Sequence, residues 1–174
     1  MNVARSMVAV ALSALVIGTS APLGAQAPTK FNITVVRGDG SERQLVAAEL
    51  QEYRSSSYVG RTGDFPITSL GITAPITPPE GVKLTPRSVS VATIQRIDWA
   101  PGTQKGGTEH TPATITYRDG KVEKVLLWRT DNTPMWNTLA LSTLSVRGSM
   151  NLEGQQVDVT VQGPFKSMVF SSAR

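Results

Sequence analysis

ITYRDGKVEKVL, residues Ile115 to Leu126, is the stretch on which the fold turns. Ile115 and Tyr117 alternate with Thr114 and Thr116, Asp119-Gly120 interrupts, and Val122 to Trp128 returns. A period of two is the strand period, because successive side chains point to opposite faces of a sheet. Asp-Gly between β-branched runs is a strong hairpin signal, since a type I′ turn needs positive φ at both central positions. The stretch therefore predicts an antiparallel hairpin closed by a two-residue type I′ turn at Asp119-Gly120.

The same pattern recurs earlier in the chain. In ITVVRGDGSERQL (Ile33 to Leu45), Phe31, Ile33 and Val35 alternate with Asn32 and Thr34, Arg37-Gly38-Asp39-Gly40 makes a turn, and Arg43 to Ala48 returns. A second pair of segments follows in the same order: VSVATIQRIDW (Val89 to Trp99) and VTVQGPFKSMVF (Val159 to Phe170). Ile94, Ile97 and Trp99 in one match Phe165, Met168 and Phe170 in the other. In these matches Ile33 falls on Ile115 at an offset of 82, and Val89 on Val159 at an offset of 70.

These segments predict an all-β, antiparallel fold of about eight to ten short strands. The expected architecture is a β-sandwich or two fused small barrels from an internal duplication, with at most one or two short helices. A hairpin followed by a V-x-V closing strand resembles small SH3-like or Sm-like barrels over about half of the mature chain. Those motifs are generic, so no functional residue is carried over from that likeness. The expected organisation is a signal peptide at 1–25, a first β unit at 26–100 with a Pro-rich insertion at 61–86, a Gly-rich connecting loop at 101–112, and a second β unit at 113–174. Pro66, Pro75, Pro78, Pro79 and Pro86 mark the insertion as an extended connection, because proline donates nothing to a ladder. Two stretches carry helical spacing instead. Val46, Leu50 and Tyr53 sit at i, i+4, i+7, and Trp136, Leu139, Ala140 and Leu144 follow a similar rule, although a bulged strand fits the second stretch equally well.

The N-terminus predicts export. Arg5 precedes an apolar run from Met7 to Gly18, and small residues follow up to Ala25, where cleavage before Gln26 is expected. The run is too short to span a bilayer. Cleavage would leave 149 of the 174 residues, and the net charge would fall from +4 to +3 because Arg5 leaves. The chain has no Cys, so neither lipoprotein anchoring nor disulfides are available. Expected localisation is the periplasm or the extracellular medium of a bacterium, with no integral membrane segment.

Charge and motif content exclude several chemistries. The 17 basic and 13 acidic residues are spread along the chain without a basic stripe, so no nucleic-acid partner is expected. There is no G-x-S-x-G, H-E-x-x-H or P-loop. With one His, a zinc site would rest on carboxylates almost alone, so no metal or other cofactor is expected. Arg37-Gly38-Asp39 is what a hairpin tip selects in any case. The Asn32-Ile33-Thr34 sequon lies inside an expected strand.

Loop aromatics carry the remaining functional signal. Trp99 and Phe170 match between segments, and Trp128 shares strand parity with Val122 and Leu126, all of which predicts core. Tyr58 and Trp136 lie in loop-like contexts and are candidate contact residues, since each pairs a flat apolar face with a polar edge. His110, beside Glu109 in the Gly-rich stretch, is the third candidate. The expected function is a non-enzymatic exported module whose loops bind a protein or a cell-envelope polymer. Two alternatives are a glycan hydrolase using loop carboxylates and a structural subunit that assembles by edge-strand pairing.

Overall fold

The computed structural model describes residues 30–56, 61–74, 86–101, 103–105, 108–128 and 143–172. The expected export signal, Tyr58 and Trp136 lie outside them. The described chain is all-β and antiparallel. Its strands are β1 (Phe31–Arg37), β2 (Glu42–Ser56), β3 (Arg61–Pro66), β4 (Ser69–Thr73), β5 (Arg87–Ser90), β6 (Ile94–Trp99), β7 (Thr103–Lys105), β8 (Thr108–Tyr117), β9 (Val122–Trp128), β10 (Leu144–Leu152), β11 (Gln155–Gln162) and β12 (Phe165–Ser172). A 3₁₀ turn, Val91–Thr93, is capped by Ser90, whose Oγ accepts from Ala92 N.

The strand order is β11-β10-β2-β1-β12-β6-β8-β9-β4-β5, with β3 added to β2 and β7 to β8. Alternation sets which face each strand buries: Phe31, Ile33 and Val35 on β1, Ala113, Ile115 and Tyr117 on β8, and Val125 and Leu127 on β9. The buried side chains form one cluster that draws on strands from both ends of the order. A flat sheet cannot do this. Five strand spacings separate β2 from β9, about 24 Å at ~4.8 Å each. Yet only Ile67 and Thr68 join β3, paired with β2, to β4, paired with β9, a link that reaches about 11 Å. The sheet is therefore rolled, and the Ile67 N–H donating to the Leu50 carbonyl at 2.8 Å pins the join.

Some of the pairings correspond when read from the two ends of the order. At its centre β12 meets β6, with Met168 opposite Ile97. On one side Val35 faces Arg43 and Val36 faces Glu42; on the other Ile115 faces Glu123 and Thr116 faces Val122, a constant offset of 80. β1 lies beside β12 with Ile33 opposite Phe170, and β8 beside β6 with Ala113 opposite Trp99. Single hydrogen bonds correspond as well. Gly38 N donates to Pro164 O at 3.2 Å and Arg118 N to Thr93 O at 2.9 Å; Val91 N donates to Thr68 O at 2.9 Å and Gly163 N to Leu144 O at 2.8 Å. The hairpin offset is thus 80, where alignment of the letters suggested 82. Val89 corresponds to Val161, two residues later than the valine match placed it.

Several local expectations change. Positive φ falls on Gly120 (87°) and not on Asp119, so the tip is a three-residue turn closed by glycine, not type I′. Tyr117 N donates to Lys121 O at 2.8 Å, Gly120 N to Tyr117 O at 3.0 Å, and Asp119 Oδ1 accepts from Lys121 N at 2.9 Å. The Arg37–Ser41 tip repeats this arrangement around Gly40 (84°), with Asp39 Oδ1 accepting from Ser41 N at 2.9 Å. Type I′ dihedrals occur instead at Glu153 (53°) and Gly154 (86°), between β10 and β11. Val46, Leu50 and Tyr53 are strand residues of β2, not helical, because neighbours on both sides take up the backbone hydrogen bonds. The 61–86 connection contains β3 and β4; Pro66 is tolerated at the end of β3, which among the described residues pairs on one side only. Residues 103–105 and 108–112 are strand where a loop was expected. Trp128 is half-buried with Nε1 donating to Thr73 Oγ1 at 3.0 Å, and the buried parity of β9 is Val125 and Leu127, leaving Val122 exposed.

Candidate functional site

The β1–β2 and β8–β9 ladders differ at one place, and polar groups gather there. β2 carries an extra residue at Val46-Ala47, so that Phe31 pairs with Ala48 while Ile33 pairs with Leu45. The matching part of β9 runs without a slip, with Thr111 opposite Leu127 and Ala113 opposite Val125. A bulge re-aims the side chains around it, and bulges concentrate beside functional sites. Here it holds Ala47 at φ 49°, in the left-handed region that a side chain with Cβ rarely adopts. Asn32 Oδ1 accepts from the Ala47 N–H at 3.3 Å, which occupies the amide displaced from the ladder. On the far side the slip recurs between Arg147, opposite Glu49, and Ser149, opposite Val46.

The result is an open notch of about 210 Å³ lined by Lys30, Ala47, Glu49, Arg147, Gly148, Ser149 and Asp158. Its two carboxylates are occupied: Glu49 Oε1 accepts from Gln51 Nε2 at 2.5 Å, and Asp158 Oδ1 from Ser149 Oγ at 2.8 Å. Its two cations are not. Among the described residues neither Arg147 nor Lys30 makes a hydrogen bond or an ion pair. A guanidinium with five unengaged donors on a fixed strand is suited to a carboxylate or phosphate.

A second charged group stands at the β5–β8–β9 rim and has a structural task. Tyr117 OH donates to Glu123 Oε2 at 2.7 Å, Lys121 Nζ lies 2.8 Å from Glu123 Oε1, and Arg87 pairs with Oε2. The hydrogen bonds from Lys121 and Tyr117, helped by the Arg87 charge, hold the Glu123 carboxyl down at about 2. Burial, then the Glu123 contact, pushes the Tyr117 phenol up to about 12. Because the folded carboxyl lies below its unfolded value, the clasp stabilises fully above about pH 4.5 and is lost as pH falls towards 2. Solvent screening at this rim keeps the loss to about 1 kcal/mol. Denaturant midpoints taken from pH 7 to pH 2.5 should fall more steeply for the native chain than for Glu123→Gln.

No family model, curated protein or solved structure matches the chain.

Tyr58 and Trp136 lie outside the described residues, and His110 is seen only as a β8 backbone position paired with Thr103. Trp99 is core, tilted against Phe165 with ring centroids 6.4 Å apart. No cluster of three or more metal-ligating side chains occurs among the described residues. The notch residues escaped the sequence reading, although one signal marks them. Apolar positions on β2 run Leu45, Ala48, Leu50, and that slip in alternation is a bulge signature as much as a helical one.

Proposed function

We propose that the chain is an exported, non-catalytic β module, built by internal duplication, that binds an anionic group of a protein or envelope polymer at the β2 bulge. The observation that carries this reading is the unpaired Arg147, with Lys30 beside it, in a notch that one half of the sheet forms and the corresponding half does not. The duplicated hairpins supply a rigid frame, and the bulge adds a feature the frame itself does not need. Presentation of variable groups on such a frame is a common route to binding. Tyr58 and Trp136 remain proposed contributors from the loops.

The second reading, a glycan hydrolase, draws on Glu49 and Asp158 sharing the notch. Such chemistry needs one carboxyl kept protonated by an apolar setting. Both acids instead line an open notch with two cations, which favours binding.

Crosslinking of the tagged protein in its native envelope, followed by identification of what is captured, separates these readings. Arg147→Ala should reduce capture about tenfold or more with unchanged melting, since a charge-assisted hydrogen bond contributes ~1.5–3 kcal/mol. Undiminished capture removes the notch from the proposal. Release of sugar that stops in both Glu49→Gln and Asp158→Asn would establish the hydrolase instead.

A further inference from the structure

Met150 of β10 packs against the core, with Val159 and Val161 of β11. Beyond it the β10–β11 hairpin is exposed from Asn151 to Asp158, with Leu152 48% and Val157 39% exposed.

Among the described residues the two outer edges differ. β5 offers four residues, beginning at Arg87, and a short charged edge resists pairing with another chain. β11 offers eight, Gln155–Gln162, in unbroken register with β10 and with no Pro, Lys or Arg. Among the described residues it pairs with β10 alone. None of the usual protections of an edge strand is present except a single acid, Asp158.

We infer that β11 pairs antiparallel with β11 of a second copy of this chain, with Val159 opposite its own equivalent. The sequence QQVDVTVQ supports this register over its neighbours. Centred on Val159, it sets Val157 against Val161, Asp158 against Thr160 and Gln156 against Gln162. Like residues meet on the apolar face, and each acid faces a hydroxyl donor. Centring on Asp158 would oppose two carboxylates, which is destabilising. Centring on Thr160 would spend Val157 on Gly163. Charge agrees with the chosen register. Thr160 lies opposite the unpaired Arg147 on β10, so the second copy's Asp158 approaches a face bearing a free cation. A single strand pair buries less than a standard interface, which places the dimer in the weak, micromolar class.

Sedimentation equilibrium of the full mature chain from micromolar to near-millimolar concentration tests the pairing, with two double variants at exposed positions. Gln156→Glu with Gln162→Glu sets acids directly opposite at both ends of the strand pair. Gln156→Lys with Gln162→Glu sets opposite charges there. The two positions are too far apart on one strand to interact within a copy, so the variants differ only when β11 meets β11. The native chain should dimerise, the first variant should raise Kd at least tenfold, and the second should dimerise as well as the native chain or better. A native chain that stays monomeric throughout overturns the inference, as does a dimer whose Kd is the same in both variants. Failure here leaves the Arg147 capture result standing, since Arg147→Ala does not alter β11.

Discussion

Phe170→Ala is expected to lower the unfolding free energy by about 3–5 kcal/mol, the cost of deleting a fully buried aromatic whose cavity cannot close. Phe170 is 1% exposed and packs edge-on against Phe31, with ring centroids 5.8 Å apart and planes at 85°. Such a pair contributes beyond its buried area. Its strand matters as much as its size. β12 lies between β1 and β6 at the centre of the order, where the two halves of the chain meet. The lost ring therefore loosens the packing between halves as well as within one. Thermal unfolding should show a midpoint lower by about 10 °C or more for a domain of this size. Val122→Ala serves as the comparison. Val122 is also an apolar strand residue but 58% exposed, so the change should stay within about 0.5 kcal/mol. Equal shifts in the two variants would mean that the rolled sheet does not enclose the single core that its pairings require.

The contrast between these residues shows what could be read from sequence. β1 and β8 carry alternating apolar residues between turn signals, and there letters and structure agree. Ile94, Ile97 and Trp99 lie opposite Tyr117, Ile115 and Ala113 on β8, and Phe165, Met168 and Phe170 lie opposite Arg37, Val35 and Ile33 on β1. Similar letters set ITVV against ITY, whereas hydrogen-bond partners set Val35, opposite Arg43, against Ile115, opposite Glu123. Parity failed on β9 in the same way: Val122 and Val125 cannot share a face, and the pairing with β8 decides which one turns inward. β2 is a strand because its neighbours on both sides override a weak helical spacing. The candidate site was nearly illegible. Arg147, Lys30, Glu49 and Asp158 are far apart in the chain, and only the ladder register gathers them.

Gly148→Ala is expected to cost about 3 kcal/mol, at the upper end of what overpacking brings. A Cβ built on Gly148 would lie 2.6 Å from Ala48 Cβ, 2.9 Å from Ala48 Cα and 3.1 Å from the Val46 carbonyl oxygen. Two of those atoms are backbone and the third is a methyl with no rotamer to escape into, so the strands themselves must part. They are β10 and β2 at the bulge, where the extra residue of β2 brings the two backbones together. The positive φ of Ala47 and the bare Gly148 are thus two sides of one close approach, and both are needed to turn Arg147 and Glu49 into the notch. Ala47→Gly should move the other way, stabilising by up to about 1 kcal/mol, because glycine adopts the left-handed region without the Cβ penalty. Denaturant unfolding of both single variants checks the pair. A Gly148→Ala protein as stable as the native chain would show that β10 and β2 do not approach this closely, and the notch built on that approach would lose its physical basis.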